Sequence, residues 1–326
     1  MKSVMKYLVV FVVGSTGLML AGCSDNPTLG RSQFALLSRA QEIEIGEQAQ
    51  AQLSEEYGGR VKNEAVQAYL AEVCMSMVAH TEGDWATLPW EFTLLDSPVI
   101  NAFALPGGKT FMSRGLVEKL SNEAELAFIM GHEIGHVTAR HGNTRISQQI
   151  GASVLLVGAG VAAQGSDSEV VRAGVPAVIG AGTGLYLLRY GRNQESESDA
   201  LGMRYMVRAG YNPLGARGAM QVLADLSQGS ERGAEMFATH PHPERRVADI
   251  NERIKKHYSA MVDDPAYEFH EDRFRARMLR PLAMLPRSGA WDQGFALHET
   301  ATWCGLCAAE ALGDEHAAVE TRIDAR

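Results

Sequence analysis

The chain has 326 residues, 46% of them hydrophobic and 21% charged, a balance that excludes a wholly disordered or collagen-like protein. The 30 lysines and arginines are outnumbered by 39 aspartates and glutamates, giving a formal net charge of −9, which argues against nucleic acid as a partner. Four cysteines in this length exclude a disulfide-dense miniature scaffold.

Lys2 and Lys6 precede an apolar run from Leu8 to Leu20, and Ala21-Gly22-Cys23 follows. Charged, apolar and small-residue regions in that order describe a secretory signal over residues 1–22, too short for an ordinary membrane span. Leu20-Ala21-Gly22-Cys23 resembles a bacterial lipobox, which implies cleavage before Cys23 and lipidation there. Ser24 in the next position implies the outer membrane by the same resemblance. The expected location is therefore the bacterial periplasm, with the membrane reached through a lipid anchor. Residues 23–37, with Asn26-Pro27 and Gly30, read as a tether.

From Ser38 the polar and apolar residues alternate with helical period up to Gly58-Gly59, and Asn63 to His80 predicts a second helix. Trp90 to Asp96, Ile100 to Leu105 and Lys109 to Met112 are short and β-rich, with Pro106-Gly107-Gly108 between the last two. They predict a small sheet with a hairpin. Ser121 to His141 carries the strongest helical pattern, opened by an Asn122/Glu125 capping box and followed by Gly142. Two glycine-rich apolar runs between residues 150 and 188 predict a helical hairpin over the core. A membrane-touching surface is the alternative, and a lid over the cleft is a further reading. Tyr190 to Ala209, Pro213 to Ser227 and Pro243 to Tyr258 predict further helices. Beyond Asp263 the pattern weakens, and residues 263–326 read as a helical extension without an assigned role. Cys304 and Cys307 read as a local or structural disulfide rather than half a zinc knuckle or a redox pair, because neither a second CxxC nor a strand-turn-helix context accompanies them.

His132-Glu133-Ile134-Gly135-His136 lies inside the strongest helix. A four-residue step turns about 400°, so both imidazoles emerge on nearly one face and can reach one Zn²⁺. Glu133 lies beside them, suitably placed to take a proton from an attacking water. Zinc needs a third protein ligand, and Glu195 on the next well-marked helix is assigned that role. Asp199 shares its face and is expected to hold a ligand imidazole through the other ring nitrogen. Glu197 is expected to point elsewhere. His141, five residues past His136, projects about 140° around an ideal helix and is expected to face away from the metal as a charge partner of the helix C-terminus.

These residues resemble the zinc metallopeptidases of peptidase family M48, in its HtpX-, BepA- and LoiP-like branch. The pattern is HEIGH followed by a distant ExxxD, here Glu195 to Asp199. Residues 101–108 (NAFALPGG), 192–195 (RNQE) and 239–245 (THPHPER) extend the resemblance over roughly Ser38 to Tyr258. It implies an α+β, mainly helical gluzincin domain over residues 38–262, with a small β-sheet whose edge near Asn101 to Leu105 receives substrate as an added strand. It further implies that Asn101 and His240 stabilise the developing oxyanion, or that His240 instead fills the open metal position and keeps the enzyme latent. Arg245 or Arg246 would support the active-site loop.

The implied activity is a zinc-dependent metalloendopeptidase acting on unfolded or misfolded polypeptides, with outer-membrane assembly machinery as a further partner. The alternative is a lipoprotein chaperone or assembly factor with a silent zinc site.

Overall fold

A computed structural model describes residues 23–151, 190–229, 234–241 and 243–287. Residues 1–22, where a secretory signal is expected, the glycine-rich segment beyond residue 151 and the Cys304/Cys307 pair lie outside them. The fold is mainly helical with two small sheets.

Strands β1 (Cys23–Asn26) and β2 (Arg31–Phe34) form an antiparallel hairpin. The stretch that reads as a tether is thus paired structure. Asn26 explains why: its side-chain oxygen accepts from the Thr28 backbone N–H, closing the turn, while its amide donates to the Thr138 carbonyl 3.0 Å away. That carbonyl lies at a helix C-terminus, where main-chain acceptors lack internal partners.

Helix α1 (Arg39–Glu56) opens with a Ser38/Gln41 capping box, and α2 (Glu64–Val78) is capped by Asn63. Strands β3 (Glu91–Leu95), β4 (Ala102–Leu105) and β5 (Lys109–Ser113) form a sheet in the order β3-β5-β4. The β3/β5 pair is parallel and the β4/β5 pair antiparallel. β4 is therefore an edge strand, as the family resemblance implies. The turn between β4 and β5 needs glycine at Gly107, where φ is 81° and a Cβ would lie 2.5 Å from the Ile43 Cα of α1.

After the short α3 (Arg114–Val117) comes α4 (Glu123–Thr138), whose residues are all buried. Asn122 caps it, accepting from the Glu125 backbone N–H, and the Glu125 carboxylate accepts in return from the Asn122 amide and the Ser121 backbone. A helix buried on every side belongs at the centre of a domain. Around it stand α2, β4, α5 (Arg192–Arg208) and α6 (Leu214–Gly229). Then follow α7 (Ala234–Thr239) and α8 (Pro243–Arg253).

Residues 263–287, which sequence pattern separates from the domain, contribute to the same core. Helix α9 (Glu271–Phe274), a π turn over Arg275–Leu279 and α10 (Arg280–Ala283) bury Phe274, Met278 and Leu282 completely. Arg273, Arg275, Arg277 and Arg280 interrupt this stripe, which is why its apolar pattern is weak. Arg273 pairs with the buried Glu123 of α4, and Arg114 donates to the carbonyls of Leu282, Leu285 and Pro286. Those bonds satisfy acceptors that the end of α10 leaves open.

Candidate metal centre

Two helices build the site, and their closeness is a matter of glycine. A Cβ on Gly202 of α5 would lie 2.8 Å from the His132 backbone nitrogen, and one on Gly131 would lie 3.1 Å from the Gly202 carbonyl. With no side chains between them, α4 and α5 approach closely enough for short carboxylates on α5 to reach imidazoles on α4.

His132, His136, Glu195 and His240 are all buried, and one ligand atom from each lies within 4.8 Å of the others. His132 Nε2 is 3.0 Å from His136 Nε2 and 3.3 Å from His240 Nδ1. Glu195 Oε1 is 3.3 Å from His136 Nε2 and 3.0 Å from His240 Nδ1, and Oε2 is 3.6 Å from His132 Nε2. Four ligands at the usual zinc distances in a tetrahedron stand about 3.3 Å apart. The donor set and its spacing therefore fit one zinc ion, with His240 at the fourth corner.

The members of this group are held by neighbouring side chains. Asp199 Oδ1 is 2.9 Å from His132 Nδ1. Arg246 donates through Nε and Nη2 to both oxygens of Asp199, at 2.8 and 2.6 Å, and its Nη1 is 2.7 Å from Glu195 Oε2. Of the two arginines left open by sequence, Arg246 is the buried one, while Arg245 is exposed. Tyr190 stacks on the His136 ring with centroids 3.9 Å apart, and its backbone N–H donates to Thr239, next to His240.

The electrostatics suit ligation. Burial pushes the Glu195 carboxyl up, yet the charges of His240 and Arg246 and the bonds from the two histidines outweigh it, holding it well below the usual range. Burial holds His136 well below the ordinary histidine value, and a neutral imidazole is the form that binds metal. Burial also raises Glu133, more than the neighbouring His240 and His132 lower it. Neither carboxylate oxygen of Glu133 has a hydrogen-bond partner among the described residues, and His240 Nε2 stands 3.7 Å off. A buried, raised, unpartnered carboxylate beside a ligand group is poised to accept a proton.

Asn101 is buried one residue before β4, and its amide donates to the Tyr57 hydroxyl at 3.0 Å. Cys23 begins β1.

His141 departs from the helical projection. Helix α4 ends at Thr138, and Arg140 has φ 55°, so the chain turns before a new helical segment starts at residue 141. His141 thereby returns beside the site, with Nδ1 3.0 Å from His136 Nδ1. Glu197 ligates nothing in this group but lies 3.1 Å from His141 Nε2.

The profile described as Peptidase family M48 matches residues 63–254. The chain belongs to this family. The beta-barrel assembly-enhancing protease of Escherichia coli (strain K12) is 31% identical over 254 residues, 76% of this chain and 51% of that protein. The protein of the same name from Yersinia pestis is 29% identical over 244 residues, 73% of this chain and 49% of its own. The mitochondrial metalloendopeptidase OMA1 of Schizosaccharomyces pombe is 29% identical over 231 residues, covering 69% and 65%. The chain thus spans about half the length of the first two relatives.

Proposed function

We propose that this chain is a zinc-dependent metalloendopeptidase, lipid-anchored in the bacterial periplasm, that hydrolyses peptide bonds of unfolded or misassembled envelope proteins. One observation carries the reading: His132, His136 and Glu195 converge with zinc-like spacing beside the Glu133 carboxylate, which accepts no hydrogen bond among the described residues. Zinc, when bound there, supplies a Lewis acid for the substrate carbonyl and acidifies water. The chain's own residues do the rest. Glu133 takes the proton of the attacking water and returns it to the departing amine nitrogen, so the C–N bond breaks without an acyl-enzyme. Asp199 and Arg246 hold the His132 imidazole and the Glu195 carboxylate in place. Asn101 and His240 are assigned as donors to the developing oxyanion.

The edge strand β4 lies against α4. An extended polypeptide adding to this edge gains main-chain hydrogen bonds that demand no particular side chain, which suits unfolded substrates. A shallow recess alongside is lined by Trp85, Leu88, Leu105, His136, Val137 and Tyr190.

The signal-like residues 1–22 followed by Cys23 and Ser24 support a lipid anchor in the outer membrane. Because Ser24 Oγ accepts from Arg140 Nη1 at 3.0 Å, an anchor at Cys23 would hold the domain close to the bilayer. The relatives named for enhancing beta-barrel assembly support outer-membrane proteins as clients and their assembly machinery as a partner.

Replacing Glu133 by Gln tests the mechanism. Zinc should stay bound while cleavage of a reduced, alkylated protein falls at least about 10²-fold. Undiminished cleavage would overturn the reading.

A second reading is favoured by His240 Nδ1 standing within the ligand group: a chaperone or assembly factor whose metal site is silent until the His240 segment moves. A wild type that binds unfolded protein without cutting it, with a His240→Ala variant that does cut, would favour this alternative. Cleavage by wild type that drops in His240→Ala would favour the oxyanion role.

A further inference from the structure

The two ligand imidazoles are supported differently. His132 rests its Nδ1 directly on a carboxylate, Asp199. His136 rests on another ring: His141 Nδ1 at 3.0 Å, with Ser198 Oγ 3.3 Å from the same His141 nitrogen. Beyond it, His141 Nε2 is 3.1 Å from Glu197 Oε2, and Arg31 of the β1/β2 hairpin places Nη2 2.7 Å from Glu197 Oε1. The last contact is ionic, without the directionality of a hydrogen bond. His141 and Glu197 are only 2% and 5% exposed, so water does not substitute freely for either.

Proton positions follow from this chain. His136 Nε2 faces His132 and Glu195, so ligation through it puts the remaining proton on Nδ1. That N–H needs an acceptor, and the atom opposite is a ring nitrogen, which accepts only when its own proton is elsewhere. Glu197 puts it there, because a carboxylate can only accept and so draws the His141 proton to Nε2. The carboxylate thereby sets one tautomer, and that tautomer sets the next.

We infer that His141 and Glu197 are positioning residues for the metal site, a two-residue relay that fixes the tautomer and ring orientation of His136, with Arg31 orienting Glu197 from the N-terminal hairpin. This rests on the reading of His136 as a metal ligand. Ligand imidazoles generally have such partners, whose loss costs about 10- to 100-fold in metal affinity.

The test uses the full chain stripped of metal, with Zn²⁺ affinity read by competition against a chromophoric chelator, the visible spectrum of the Co²⁺ form, and the melting temperature of the metal-free protein. His141→Ala should weaken Zn²⁺ binding about 10- to 100-fold and alter the Co²⁺ bands while the metal-free melting temperature changes little. His141→Asn, whose Oδ1 can accept where Nδ1 did, should recover most of the affinity. Glu197→Ala, which leaves both imidazoles in place, should weaken binding in the same direction and decides the matter if His141→Ala does not fold. Affinity within about twofold of wild type in folded His141→Ala or Glu197→Ala overturns the relay. A wild type that binds no Zn²⁺ overturns the metallopeptidase reading itself, which keeps the two failures apart.

Discussion

Gly202 presses its backbone against His132 so closely that a Cβ there would stand 2.8 Å from the His132 nitrogen. The neighbour is main chain inside a buried helix, which cannot swing aside as a side chain could. Gly202→Ala should therefore force α5 away from α4, at about 1–3 kcal/mol of stability. Because the shift carries Glu195 and Asp199 with it, Zn²⁺ affinity should fall as well. Urea unfolding and metal titration of the same variant check both effects, and unchanged affinity would detach the glycine contact from the site.

Arg246 is the cation shared by Asp199 and Glu195. Arg246→Met leaves two buried carboxylates facing each other without it, and removing one partner of a buried ionic group costs about 3–5 kcal/mol. Arg246→Lys keeps the charge but not the fork, and should restore stability only in part. Added Zn²⁺ should stabilise Arg246→Met more than wild type, since the ion neutralises Glu195. Equilibrium unfolding with and without the metal measures all three.

Metal removal should be visible as lost stability. A ligand bound only by the folded state, at a hundred times its dissociation constant, adds about 2.7 kcal/mol. Chelation should lower the melting temperature of wild type accordingly and have no such effect on Glu195→Ala. A Glu195→Ala variant that responds to chelation like wild type would exclude this carboxylate as a ligand.

Glu42 offers a pH test away from the metal group. Burial raises its carboxyl above the ordinary range despite the ion pair with Arg140. The folded state then binds the proton more tightly than the unfolded one, so this contribution is present at low pH and is lost as pH rises through the folded value. Relative to Glu42→Gln, wild type should lose stability as pH rises above about 4.5. A difference that grows in the opposite direction would show the ion pair outweighing burial.

Truncation after residue 262 should prevent stable folding. It removes Phe274, Met278 and Leu282, each fully buried, and each contributes about 1.5–3 kcal/mol. Their sum rivals the whole stability of a typical domain, about 5–15 kcal/mol. Circular dichroism and limited proteolysis of the truncated chain, set against one ending at residue 287, decide it.

The features legible in the residues alone are the local ones. The His132/His136 spacing, the neighbouring Glu133, the Asn122 cap and the Glu195/Asp199 spacing all follow from a helix repeating every 3.6 residues, a rule that acts within a few residues of itself. Tertiary structure decided what that rule cannot reach. His141 projects away from the metal on an ideal helix, but the helix ends and Arg140 turns left-handed, bringing the ring back beside His136. Arg246 rather than Arg245 faces the carboxylates because α8 buries only one of them. Arg31 meets Glu197 only through a hairpin that a turn signal alone made look like a tether. The first is a local break in the helix, and the other two join segments far apart in the chain, contacts set by the close approach of whole elements; an ideal helical repeat encodes neither.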